Sequence, residues 1–154
     1  CMDDADRRIL YWLQRDASLP LAELAEKTGL SPSPCWRRVQ RLTNEGVIRA
    51  RVALLDAKAI NLGVDMFVSV RTSQHKKEWA ETFTATVMAL PEVVGFYRMA
   101  GEVDYLLHIV VPDIAGYDRV YKRLIERIDL NDVSASFAME VIKSTTALPL
   151  DYAR

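Results

Sequence analysis

Only two cysteines, Cys1 and Cys35, occur in the 154 residues. Two thiols cannot build the multi-bridge framework of a small secreted protein, nor supply the four ligands of a structural zinc site. Histidine is equally scarce. His75 and His108 have no thiol or carboxylate at a metal-binding or catalytic spacing, and no serine, base and oxyanion trio is legible. Both histidines therefore read as structural, and neither a metal nor a cofactor is expected. Long apolar runs are missing too: the longest, Tyr105 to Pro112, is broken by His108 and falls far short of the roughly 20 residues that cross a bilayer. The opening Cys1-Met2-Asp3-Asp4-Ala5-Asp6 is acidic where a secretory leader is basic and then apolar. A cytoplasmic chain with no membrane partner is expected. Finally, a net charge of −1 lacks the strong positive excess of proteins that coat nucleic acid without regard to sequence.

What is present is the composition of a folded protein. Half of the residues are hydrophobic and 27% are charged, enough to fill a core and solvate a surface, at a length that suits one average domain or two small ones. The charge is unevenly spread. Residues 1–60 hold ten Lys and Arg against eight Asp and Glu, whereas residues 61–154 hold ten against thirteen. Within the first part Arg37, Arg38, Arg41, Arg49 and Arg51 fall in fifteen residues whose only acid is Glu45.

Helical periodicity organises this first part. Ile9, Leu10 and Leu13 mark a helix over residues 4–15, and Leu21, Leu24 and Ala25 mark a second, stopped by Gly29. Ser31 at an N-cap and Pro32 at the first helical position start a third. Its inward stripe is Cys35, Val39 and Leu42, so the polar and cationic residues face outward. Cys35 on that stripe reads as packing, not as a redox sensor. Residues 47–55 alternate β-branched residues with Arg49 and Arg51 and predict a strand. Residues 56–65 show neither period, which puts the domain boundary there and divides the chain into 1–60 and 61–154.

The second part reads as strand 66–71, helix 79–90, strand 93–100, turn 101–103, strand 104–111, helix 114–128 and strand 135–141. That order, βαββαβ, predicts a ferredoxin-like fold of the α+β class, with two helices on one face of a four-stranded antiparallel sheet. The other face carries Phe67, Tyr97 and Met99, and an exposed apolar sheet face marks an interface. A dimer at least is expected.

A short helix, a turn and a capped, arginine-bearing third helix form a helix-turn-helix pattern, with residues 47–55 in the place of a wing. Such a helix enters the major groove of double-stranded DNA, where arginine pairs with guanine and serine serves as donor or acceptor. Ser33, Arg37 and Arg41 are the candidates for base edges. Arg38, Arg49 and Arg51 suit phosphates, Trp36 a sugar or thymine methyl, and Ser31, Pro34 and Gln40 complete the candidate surface. A plain three-helix cluster with a solvated basic face is the alternative, against which the arginine density weighs.

The run Leu30-Ser31-Pro32-Ser33-Pro34-Cys35-Trp36-Arg37-Arg38-Val39, with Gly46-Val47-Ile48 and Ala53-Leu54-Leu55-Asp56, resembles the reading head of the Lrp/AsnC (feast/famine) regulators. The second half resembles that family's amino-acid-sensing domain in Leu90-Pro91-Glu92-Val93, Ala100-Gly101-Glu102-Val103-Asp104-Tyr105 and Ser136-Phe137-Ala138-Met139-Glu140. The resemblance covers nearly the whole chain, with its motifs in order. It implies a transcription regulator forming dimers that associate into octamers or similar discs, with residues 48–55 pairing across the dimer. It also implies an amino-acid effector bound between dimers near Gly101 and Asp104, with Tyr97, Met99, Ala100, Ser134 and Ser136 as neighbouring walls. Pro34-Cys35-Trp36 and the run from Gly95 to Glu102 are most similar to the cysteine-responsive branch, which implies cysteine or another small amino acid as effector. The alternative that Gly101 and Asp104 only close a hairpin stays open. A rival from another class is an enzyme on the same architecture, such as a tetrapyrrole decarboxylase, which would call for histidines or arginines lining the sensing cleft and a third helix stripped of cations.

Overall fold

The computed structural model describes residues 1–154 except Gln74 and Asn131. The chain forms two compact units, one of Cys1–Leu54 with Lys143–Arg154 and one of Leu55–Ile142.

Three helices make the first unit: α1 (Asp4–Leu13), α2 (Leu21–Thr28) and α3 (Pro32–Asn44). Helix α1 starts in a reciprocal capping box built from two acids. The Asp6 N–H donates to Asp3 Oδ1 at 2.9 Å, and the Asp3 N–H donates to Asp6 Oδ2 at 3.3 Å. Helix α2 stops where Gly29 takes a left-handed φ of 71°, which turns the Leu30 N–H onto the Ala25 carbonyl at 2.9 Å. Pro32 opens α3 with Ser31 at its N-cap, but the Ser31 hydroxyl makes no capping bond. Ile9, Leu10, Leu24, Ala25, Cys35, Val39 and Leu42 form the core of the unit. The inward stripe of α3 is the expected one.

One expectation differs here. Residues 47–55 form no strand: Val52, Leu54 and Leu55 are exposed. Alternating β-branched residues make a strand only against a partner strand that takes up their N–H and C=O groups, and among the described residues no strand pairs with them. The compact sheet unit runs from Leu55 to Ile142, and Lys143–Arg154 groups with the helices. Side chains of α1 and of the residue after it hold that segment. The Gln14 amide donates to the Leu148 carbonyl at 2.9 Å and accepts from the Leu148 N–H at 2.8 Å. Arg7 donates from Nε and Nη2 to the Ala153 carbonyl at 3.2 and 2.7 Å, and Leu150 packs on the helical core.

In the second unit β1 (Val64–Arg71), α4 (Lys77–Met88), β2 (Val93–Arg98), β3 (Tyr105–Val111), α5 (Ile114–Ile125) and β4 (Asp132–Phe137) follow one another. Their antiparallel sheet has the order β2-β3-β1-β4, the ferredoxin-like arrangement. Met66, Val68 and Val70 of β1 are buried with Leu107 and Ile109 of β3 against Phe83 and Val87 of α4 and Val120 and Leu124 of α5. The alternate residues, Phe67 and Tyr97 among them, lie on the uncovered face and are exposed. The last strand was expected over 135–141. It lies earlier, because β1 offers partners only as far as its own start. After the Ala138 N–H meets the Asp65 carbonyl at 2.9 Å, the chain leaves the sheet and Met139 is 93% exposed. No helix among the described residues is long and apolar enough to cross a membrane.

The C-terminal segment gives a direct prediction. Removing residues 148–154 deletes four hydrogen bonds and the Leu150 packing, at a cost on the order of 2 kcal/mol. Hydrogen-exchange protection of the α1 amides should then fall more than tenfold, and unchanged protection would contradict the role given to the segment.

Candidate nucleic-acid interface and ligand cleft

Because Cys35, Val39 and Leu42 point into the core, the helical period turns Ser33, Arg37 and Gln40 outward, and all three are exposed. Trp36 beside them is 53% exposed, a large indole left in solvent at the helix surface. Ser31 is exposed at the N-cap and Pro34 is half-buried. Arg49 and Arg51 are exposed on the segment after α3. Arg51 joins Trp36 and Gln40 in lining one small depression of about 150 Å³. Ser33, Trp36, Arg37, Gln40 and Arg51 thus form one solvent-facing surface.

Arg38 and Arg41 have a different environment. Arg38 Nη1 lies 2.7 Å from both carboxylate oxygens of Asp3 and 3.0 Å from Asp6 Oδ1. Arg41 Nη2 is ion-paired with the same Asp6 oxygen at 2.5 Å, and the Asp6 side chain is 1% exposed. Burial pushes the Asp6 carboxyl up, but Arg41, Arg38 and the Asp3 N–H together outweigh it and hold it below the ordinary aspartate value. Arg38, helped by the Asp6 N–H, brings Asp3 down to about 2. Burial alone pushes the Cys35 thiol up, with a contact to the Thr28 hydroxyl offsetting part of the effect, which suits packing and not thiolate chemistry.

In the second unit a cleft of about 620 Å³ opens beside the β2–β3 turn, lined by Thr72, His75, Ala80, Thr84, Phe96, Arg98, Met99, Asp104 and Tyr105. Of the expected effector residues, Met99 and Asp104 line it. Gly101 sits in the turn at a φ of 119°, where a side chain would be strained, and Ala100 is exposed next to it. Asp104 also anchors the turn, accepting the Thr72 N–H on Oδ2 at 2.8 Å and the Met99 N–H on its carbonyl at 2.8 Å. Tyr97 lies on the uncovered face of the sheet. Pairing puts Tyr97, Leu106, Ser69 and Ser134 in one row across the four strands, with Tyr97 and Ser134 at opposite edges. Ser136 is in the neighbouring row on the same edge strand as Ser134, so a single chain does not bring either serine to the cleft.

Arg98, Phe96 and Tyr105 are lining residues the sequence did not single out. Period-2 alternation through Tyr97 and Met99 passes over Arg98, which shares the opposite face with Phe96, and Thr72, His75, Ala80 and Thr84 come from other elements. His108 also has a partner that its spacing hid: its Nε2 lies 2.7 Å from Asp65 Oδ1, and its ring stacks on Phe67 at 4.6 Å. Antiparallel pairing brings these distant positions together. Among the described residues no group of three or more His, Cys, Asp or Glu side chains is placed to hold a metal.

Residues 65–148 match the family model of the Lrp/AsnC ligand binding domain, and residues 2–49 match a winged helix-turn-helix DNA-binding model. The glutamate uptake regulatory protein of Zymomonas mobilis is 50% identical over 149 residues, which is 97% of this chain and 91% of that protein. The crystal structure of an AsnC family transcriptional regulator from Agrobacterium tumefaciens is 57% identical and superposes with a TM-score of 0.96 over 99% of this chain and 100% of the other. A transcriptional regulator from Neisseria meningitidis in complex with L-Met is 37% identical, with a TM-score of 0.93 over 98% of each chain.

The acid pair predicts the pH response of the helical unit. Both carboxyls titrate lower in the folded chain than the ordinary 3.8, Asp3 at about 2. Their stabilisation is complete above about pH 4 and is lost as the pH falls from there towards 2. Amide protection in α3 should decline across that window, and Asp3→Asn should flatten the decline. A titration that begins near pH 6 would contradict the assignment.

Proposed function

The chain belongs to the Lrp/AsnC family of DNA-binding transcription regulators, and on that premise we propose which of its residues read DNA and which hold the effector. Helix α3 enters the major groove of double-stranded DNA, with Ser33, Arg37 and Gln40 at base edges and Trp36 against a sugar or thymine methyl. Arg49 and Arg51 meet phosphates, while Ser31 and Pro34 bring the start of α3 to the backbone. The observation that carries this reading is the exposed stripe of α3, polar and cationic, beside the half-exposed Trp36 indole.

The effector is a small amino acid held at the cleft beside Gly101 and Asp104. The Asp104 carboxylate suits its ammonium, and Arg98 with the turn's N–H groups suits its carboxylate. Cysteine is the first candidate, from the resemblance to the cysteine-responsive branch. Methionine and glutamate are the others, from the Neisseria complex and the name of the Zymomonas protein. Tyr97, Ser134 and Ser136 act at the same site through association of copies into a homodimer and then an octamer or similar disc. Occupancy shifts the population of assemblies, and so the spacing of reading heads along DNA. Family membership makes the chain a regulator and not an enzyme, and the cytoplasm is its proposed location.

The test is binding to the DNA beside its own gene against random DNA at matched salt, with and without each amino acid. Specific DNA should bind at least a thousandfold more tightly. Arg37→Ala should lose about 1–3 kcal/mol of discrimination at one base position, and Asp104→Ala should abolish the response to amino acids while leaving DNA binding. Equal affinity for both DNAs would overturn the reading.

A further inference from the structure

We infer that Asp3 and Asp6 of the α1 cap are positioning residues of the reading head, and that Arg38 and Arg41 serve as their anchors on α3 rather than as contacts to DNA. The inference rests on the DNA-binding reading above and revises which cations take part in it. Five arginines between residues 37 and 51 suggest five contacts to bases and phosphates. Two of the five already have anions of their own. Arg38 spans both oxygens of Asp3 and one of Asp6, and Arg41 is paired with that same Asp6 oxygen.

The two acids differ in what they contribute. Asp3 is half in solvent and completes the α1 cap, so its charge is both a helix N-terminal anion and a partner for Arg38. Asp6 has a side chain only 1% exposed, and it cannot give up an arginine to a phosphate without leaving a carboxylate buried and under-compensated. The pairs also act over a long sequence separation, 35 residues for Asp3 with Arg38 and 32 for Asp6 with Arg38. They therefore fix the rotation of α3 against α1. That rotation decides whether Ser33, Arg37 and Gln40 face the groove. Arg37, Arg49 and Arg51 make no ion pair among the described residues and remain as uncompensated cations.

Counterion release separates the two kinds of arginine. An arginine that neutralises a phosphate contributes about 0.9 to the slope of log Kobs against log salt, whereas one already neutralised inside the protein contributes nothing. The experiment measures that slope for the full chain on its specific DNA, with Arg38→Gln, Arg41→Gln, Arg49→Gln and Arg51→Gln. Arg49→Gln and Arg51→Gln should each flatten the slope by about 0.9. Arg38→Gln should keep the wild-type slope yet lose about tenfold in specific over random affinity, because α3 is no longer held in register. If Arg41→Gln does not fold, the charge-free pair Asp6→Asn with Arg41→Gln replaces it, with the same expectation of an unchanged slope. A slope lowered by about 0.9 in Arg38→Gln would overturn the inference, as would an Arg38→Gln protein with both slope and specificity intact. Wild-type protein that binds specific and random DNA equally would sink the DNA-binding reading and this inference with it. A lowered slope in Arg38→Gln on a specific wild-type background would sink this inference alone.

Discussion

The buried Asp6 carboxylate, shared by Arg38 and Arg41 and tied back to Asp3, is the interaction on which the helical unit turns. The apolar core there is small, with seven buried hydrophobic side chains in its central cluster. Such a core fixes that three helices pack but leaves their rotations loosely specified. The charged cluster removes that freedom, because Arg38 bridges both oxygens of Asp3 and one of Asp6 while Arg41 is ion-paired with that same Asp6 oxygen. Removing one partner of a buried pair costs about 3–5 kcal/mol, and the partial exposure of both arginines puts this cluster towards the lower figure. One acid, Asp6, thus connects the cap of α1, the packing of α1 on α3 and the outward face of α3.

Each unit has its own physical logic. In the helical unit the last segment of the chain is part of the fold, bonded by Gln14 and Arg7. In the sheet unit one face is sealed by α4 and α5, while the other keeps the His108–Asp65 pair, Phe67 and Tyr97 open. The chain passes between the units twice, at residues 54–55 and 142–143. A change in the sheet unit therefore has two covalent routes to α1 and α3, one through the residues after α3 and one through the segment on α1.

Local signals made much of this legible in the sequence. Gly29 and Ser31-Pro32 gave the helix boundaries through backbone chemistry that needs no tertiary context, and period-2 alternation gave β1 and β3 nearly to the residue. What was hidden depends on partners far along the chain. Five arginines in a row of fifteen residues look alike until Asp3 and Asp6 are folded against two of them. Residues 47–55 have the pattern of a strand, but a pattern does not supply the strand it pairs with. The end of β4 is set by where β1 begins, not by its own alternation through Met139 and Val141. At the cleft, Gly101 and Asp104 came from the family resemblance. Arg98 and Thr84 were invisible because one comes from β2 and the other from α4, and only the fold brings them to one opening.

The most direct measurement is a double-mutant cycle on Asp6→Asn and Arg41→Gln, read by equilibrium unfolding of the helical unit. If the buried carboxylate holds α3 through its arginines, each single variant is strongly destabilised and the double variant is destabilised by less than their sum, with a coupling of about 1 kcal/mol or more. Losses that add to within about 0.5 kcal/mol would mean that Asp6 and Arg41 do not act on one another, and would contradict the account.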